Sequence, residues 1–192
     1  MDKLQFVLGG AAWINLINTT YNSEKQTIDT LEDPSSTFQW LEDNDLLRQS
    51  DTLALNNEET LNSLIAELHS LRFLCKMILS NLEQQKELSL KTTEELRNVV
   101  QELNVRLTIA PDKFKIAPEG TTAKDHVLYS ISSSIFHTLD SNSVKRIRKC
   151  EHEECRLYFI DTSKSGKRRW CSMELCGNRK KAAEFYARKK KK

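Results

Sequence analysis

Four of the five cysteines in this chain fall within 27 residues, as Cys150, Cys155, Cys171 and Cys176, in the spacing C-x4-C, fifteen residues, C-x4-C. Two short pairs across a spacer are what a tetrahedral ion requires, because each loop offers two thiolates and the spacer lets the loops meet. Zn2+ is the natural ion for four thiolates, and one ion in a closed shell has no open position for an activated water, so its role is structural. An iron–sulfur cluster and two disulfides are the other chemistries four cysteines allow. Disulfides would need a secreted chain. The amino terminus resembles a leader only weakly: Asp2 offsets Lys3, and Gln5 and Asn15 interrupt the apolar stretch. A cytoplasmic location follows as the expectation, and it favours a metal over disulfides. His152 could stand in for one cysteine as a ligand. His152 and Glu154 form H-x-E without the P-C-x-x-C partner of a nucleobase deaminase, and Arg156 sits where H-E-x-x-H needs its second histidine. With no phosphate loop, triad or paired-carboxylate signature either, the expectation is that the chain is not an enzyme. Cys75, on a helical apolar stripe, reads as a small buried hydrophobe.

The cysteines lie in basic sequence. Residues 1–144 hold 12 Lys and Arg against 21 Asp and Glu, a net of −9, whereas residues 145–192 hold 17 against 6, a net of +11. A basic end on an acidic body points to a polyanionic partner, here DNA. Lys167, Arg168, Arg169, Lys180, Lys181, Arg188 and Lys189 are the expected phosphate contacts. Asn178 and Arg179 are the candidates for base reading, since Asn pairs with adenine and Arg with guanine in the major groove. An architectural role is the alternative: Gly177-Asn178 would give a close backbone approach and an amide supporting a thiolate, and Arg179 would offset the charge of the metal centre. The closing "RKKKK" also reads as a solubilising terminus.

The elements that must position these residues follow from periodicity and caps. "LQFVLGG" reads as a short strand or extended entry, and "AAWINLINTTYN" as a helix. Asp33 and Pro34 open another helix as N-cap and first residue. A long amphipathic helix runs from an Asn56–Glu59 capping box through Leu61, Leu64, Leu68, Leu71, Cys75, Ile78 and Leu82, lying in the core or at a dimer interface. A second box, Thr92–Glu95, starts the next helix. "VRLTIAPDKFKI" alternates as a hairpin with one buried face, and "TTAKDHVLYSISSSIFHTL" is the last body helix. "DSNSVKRIRK" is the junction between a body, residues 1–144, and a second module, residues 145–192. In that module "RLYFIDTSKSGKRRW" reads as strand, turn, strand, and Ser172 caps a helix that turns Phe185 back toward Trp170. The fold class is α+β: a mainly helical body with a small β-hairpin, and a treble-clef-like zinc finger at the carboxyl end. No apolar run approaches the ~20 residues that cross a bilayer, so no membrane partner is expected.

"CEHEECRLYFIDTSKSGKRRWCSMELCGNRKKAAEFYARK" resembles the zinc finger of the CGNR type. "LGGAAWINLINTT", "EDPSSTFQWLEDNDLL" and the hairpin with its following helix resemble the ABATE domain that precedes this finger in its family. The resemblance implies a stress-induced bacterial transcription regulator. On that reading the finger binds DNA and the body serves as a sensor or docking domain for a small-molecule effector or a protein, and a homodimer is allowed. A zinc-module adaptor for protein or RNA is the alternative. The knuckle "EHEE" is unusually acidic for a loop that would touch DNA.

Overall fold

The computed structural model describes residues 6–23, 26–109 and 115–189. The long helix α4 (Glu58–Gln84) forms its axis. Its Leu61, Leu64, Leu68, Leu71, Cys75, Ile78, Leu79 and Leu82 are all buried at three- and four-residue spacing, so the stripe lies in the core. Helices α1 (Ala12–Ile17), α2 (Pro34–Asp43) and α6 (Ala123–Asp140) pack on it, with α3 (Gln49–Leu55) and α5 (Leu90–Glu102) at its flanks. Trp13 and Trp40 fill the centre. The Trp13 indole N–H donates to Thr138 Oγ1 at 2.9 Å, which satisfies a polar atom that burial would otherwise penalise. Among the described residues no helix is long and apolar enough to cross a membrane.

Helix starts follow the caps, with two shifts. Asp33 accepts from Ser36 N with Pro34 in the first turn, as expected. Asn56 closes α3, so the cap of α4 passes to Asn57, whose side chain accepts from Thr60 N. In α5 the cap is Ser89, not Thr92. The Asn81 side chain accepts from Ser89 N at 2.8 Å and holds that residue outside the helix, which fixes the start three residues early. The expected strand at the amino end is not formed: Phe6 and Val7 make a 3-10 turn, and residues 1–5 lie outside the described residues. Helix α1 is also shorter than expected. The chain leaves it for a hairpin, β1 (Thr20–Ser23) with β2 (Gln26–Asp29).

Arg72 of α4, only 7% exposed, ties this hairpin to the core. Its guanidinium donates to both Asp29 oxygens at 2.6 Å and to Thr19 Oγ1 at 2.7 Å. Burial works to raise the Asp29 carboxyl, but the hydrogen bonds from Arg72 and from the Leu31 amide outweigh it and hold the group below its ordinary value.

The second hairpin is β3 (Val105–Ile109) with β4 (Ile116–Gly120), pairing Ile109 with Ile116 and Val105 with Gly120. The expected turn "APDK" and Phe114 after it lie outside the described residues. The expected buried apolar face is turned outward: Leu107 is 74%, Ile109 70% and Ile116 74% exposed. Strand alternation puts all side chains of one parity on one face, so a single competing contact set decides the whole ribbon. Here that set is ionic. Arg48 donates to Glu119 Oε1 at 2.7 Å and to the Gly120 carbonyl at 2.8 Å while pairing with Asp51, so the face that carries Thr108, Ala117 and Glu119 turns to the body. Gly120 then abuts α6, where an added methyl would stand 2.1 Å from His126 N and 2.4 Å from the Asp125 carbonyl carbon.

Asp29→Ala leaves the Arg72 charge buried and unpaired, and urea unfolding is expected to show a loss of about 3–5 kcal/mol. Because the folded carboxyl lies below its ordinary 3.8, the part of this stability that depends on its charge is complete above that value and is lost as the pH falls through the folded value. In Gly120→Ala the obstructing atoms are backbone and cannot rotate away, so the same measurement should show about 3 kcal/mol lost.

Candidate metal centre

Strand β5 (Ile147–Lys149) delivers Cys150, and β6 (Tyr158–Ile160) pairs antiparallel with it, Ile147 opposite Ile160. Between them the chain turns tightly. Cys155 N donates to the His152 carbonyl and Cys150 N to the Leu157 carbonyl, both at 2.9 Å. His152 Nδ1 accepts from Glu154 N at 3.3 Å and stays outside the sulfur cluster, so His152 is a turn residue and not a ligand.

The second pair is shaped by a wider turn. Ser172 Oγ accepts from Leu175 N, and the Ser172 carbonyl accepts from both Cys176 N and Gly177 N. Residues Met173–Gly177 form a π turn, a local widening that helices adopt at functional positions. It runs into α7 (Asn178–Lys189). Gly177 lets Met173 and Trp170 lie close to the backbone: a Cβ would meet Met173 Sδ at 2.6 Å and Trp170 Cδ1 at 3.1 Å, and the flexible methionine would have to move aside.

The four sulfurs lie within 4.8 Å of one another, with Cys171 Sγ 3.8 Å from Cys155 Sγ and 3.6 Å from Cys176 Sγ. Four ligands at about 2.3 Å from one tetrahedral ion stand about 3.8 Å apart. All five cysteines are unbridged, and a disulfide would need about 2.05 Å. So the disulfide alternative fails, and the space suits a single ion instead of a multi-iron cage. Cys150, Cys171 and Cys176 are buried and Cys155 half-buried, beside Tyr21, Leu157, Phe159 and Trp170. Hydrogen bonds from the Cys155, Cys171 and Cys176 thiols hold the Cys150 thiol below its ordinary value, while interactions with Cys150 and Cys155 push Cys171 and Cys176 up. Four thiolates this close repel one another, and a divalent cation is the charge that lets all four ionise.

Residues 146–189 match the CGNR zinc finger. No curated protein matches the chain. The four cysteines of this CGNR finger fit one structural Zn2+.

Around the sulfurs the finger is held by groups that spacing did not reveal. Asp161, buried, accepts from Ser163 N at 2.9 Å and from Arg168 N at 3.0 Å, an Asx turn that D-x-S could have signalled. Arg168 donates to the carbonyls of Trp170 and Cys171, and its guanidinium stands 4.6 Å over the Phe159 ring. This side chain shapes the second ligand loop and is not free for phosphate. The expected strand in "KRRW" is absent, because β6 has no free edge for it. On the side away from β5, the Asn18 amide donates to the Tyr158 carbonyl and accepts from Tyr158 N, and Gly9 O accepts from Ile160 N.

The remaining expected contacts fall into two groups. Arg169, Lys180 and Arg179 face the acidic knuckle, at 2.6 Å from Glu151, 2.5 Å from Glu153 and 3.9 Å from Glu154 respectively. The Lys180 bond holds the Glu153 carboxyl below its ordinary value and is itself reflected in a raised Lys180. Lys167, Asn178 and Lys181 are exposed, and no side-chain partner meets them among the described residues. Among the described residues Arg188 reaches only the Glu184 carbonyl, and Lys189 lies 5.0 Å over Phe185. Phe185 is not packed on Trp170: it is half exposed and edge-on to Tyr186, on a helix with no buried residue. The Asn178 amide does not reach a thiolate, so of the architectural alternative only the Gly177 approach is present. Lys190–Lys192 lie outside the described residues.

Elemental analysis of the purified chain is expected to give about one zinc per chain. Cys171→Ser should fall well below that and melt at lower temperature, since zinc affinity supplies folding free energy on the order of 10 kcal/mol in small fingers.

Proposed function

We propose that the CGNR finger binds duplex DNA and that the chain is a DNA-binding transcription regulator. One observation carries this reading: α7 projects a complete helical face with no acid on it. At about 100° per residue, Asn178, Lys181, Phe185, Arg188 and Lys189 fall within an arc of about 100°. Arg179 and Lys180 stand about 130° to either side of the centre of that arc, where the knuckle acids meet them. A free helix with a basic face and an amide at its first turn has the form of an element that enters a major groove. Lys181, Arg188, Lys189 and Lys167 then supply phosphate contacts, and Asn178 is the group able to read an adenine. Zinc contributes no chemistry to this task beyond fixing the helix start, because four sulfurs close its shell.

The body, residues 1–144, is read through its resemblance as an ABATE-like domain for an effector or partner in a cytoplasmic stress response, with no catalytic step assigned to it. An adaptor role is the second reading, favoured by the outward aliphatic face of the β3–β4 hairpin.

Titration of a fluorescent duplex at several salt concentrations tests the DNA reading. Affinity should fall steeply with salt, and Lys181→Ala with Arg188→Ala should shrink the slope of log K against log salt by about 1.8 in all. Binding indifferent to salt, or unchanged by the two substitutions, would overturn it.

A further inference from the structure

We infer that the acidic knuckle is a built-in competitor for nucleic acid, occupying three of the finger's cations until phosphate displaces it. This rests on the DNA reading above and adds a means of regulating that same surface. Glu151, Glu153 and Glu154 each meet a different cation, Arg169, Lys180 and Arg179. The pairing is one to one between opposite halves of the metal centre. The three acids lie between the ligands Cys150 and Cys155, whereas the three cations flank the ligands Cys171 and Cys176. An ion shared by both loops therefore fixes the carboxylates against the cations, and no further chain ordering is needed to form the pairs. All three acids are at least half exposed, with Glu153 and Glu154 largely in solvent, so each pair is weak and exchangeable. Exchangeable pairs suit a competitor. A duplex presents a dense row of phosphates and can replace all three carboxylates together, while a ligand of sparse charge cannot. The arrangement also divides the cations by function: those of the free α7 face meet phosphate at first encounter, and Arg169, Arg179 and Lys180 join only after the knuckle is released.

The test is a double-mutant comparison on the full chain with one duplex. The triple variant Glu151→Gln, Glu153→Gln, Glu154→Gln should bind roughly tenfold more tightly at about 50 mM salt, with the gain shrinking toward about twofold at 200 mM. Removing three exposed carboxylates of α5 instead, with Glu94→Gln, Glu95→Gln and Glu102→Gln, should change affinity by less than about twofold. Lys180→Ala should cost less than about twofold in the parent chain but about fivefold or more in the triple-Gln background, and only competition produces that coupling. Zinc at one ion per chain in every variant verifies that the finger is intact. If the parent binds with the expected salt dependence but the triple variant gains nothing, or gains no more than the α5 control, the competitor is overturned and the DNA reading stands. If neither chain shows salt-dependent binding, both are overturned.

Discussion

Four sulfurs packed within 4.8 Å of one another cannot all carry charge unless a cation sits among them, and the carboxyl-terminal quarter of the chain is organised by that requirement. The finger has little apolar material of its own: Leu157, Phe159, Trp170 and Leu175 around the cysteines, with Leu8, Tyr21 and Ile28 lent by the body. Such a core is too small to order two loops and a helix start by burial alone. The ion brings a turn between two strands and a widened helical turn to one point. From that point α7 leaves the protein with no face buried, so its direction is set at its root. Arg168 reinforces the root by binding two carbonyls of the second ligand loop, a task for which a guanidinium with several donors in one plane is well suited.

Polar groups join the finger to the helical body. The Asn18 side chain behaves as a short strand toward Tyr158, giving one donor and one acceptor, and Gly9 supplies the next backbone acceptor. Both are needed because β6 is buried and its outer N–H and C=O groups would otherwise have no partner. Packing follows the same line: Ile160 of the finger belongs to the main core, while Tyr21 of the body belongs to the sulfur cluster.

Much of this was legible in the sequence where one signal dominated. The cysteine spacing gave the metal centre, the wide apolar stripe gave α4 and its burial, and the Asp33-Pro34 start of α2 stood as read. Legibility failed where two local signals competed. Asn56 and Thr92 looked like caps, but neighbouring Asn57 and Ser89 took the role because tertiary bonds or a preceding helix end had already placed the chain. The β3–β4 hairpin has the alternation of a half-buried ribbon, and its pattern says nothing about which parity faces inward; Arg48, remote in sequence, decides it through Glu119 and Gly120. Charge was the least informative signal for the site. Of nine residues chosen as basic or polar contacts, Arg168 is committed to the fold and three others meet acids, because sequence counts charges without showing which are already neutralised.

The change of charge sign falls at residue 144, yet the close-packed interior runs across it. A protease or a gene fusion that divided the chain at the electrostatic border would remove Tyr158 and Ile160 from the helices and leave the Asn18 amide facing water. The two fragments would share the wound. The line at which the charge changes sign is therefore not a line along which the fold divides, and the asparagine at position 18 marks the difference.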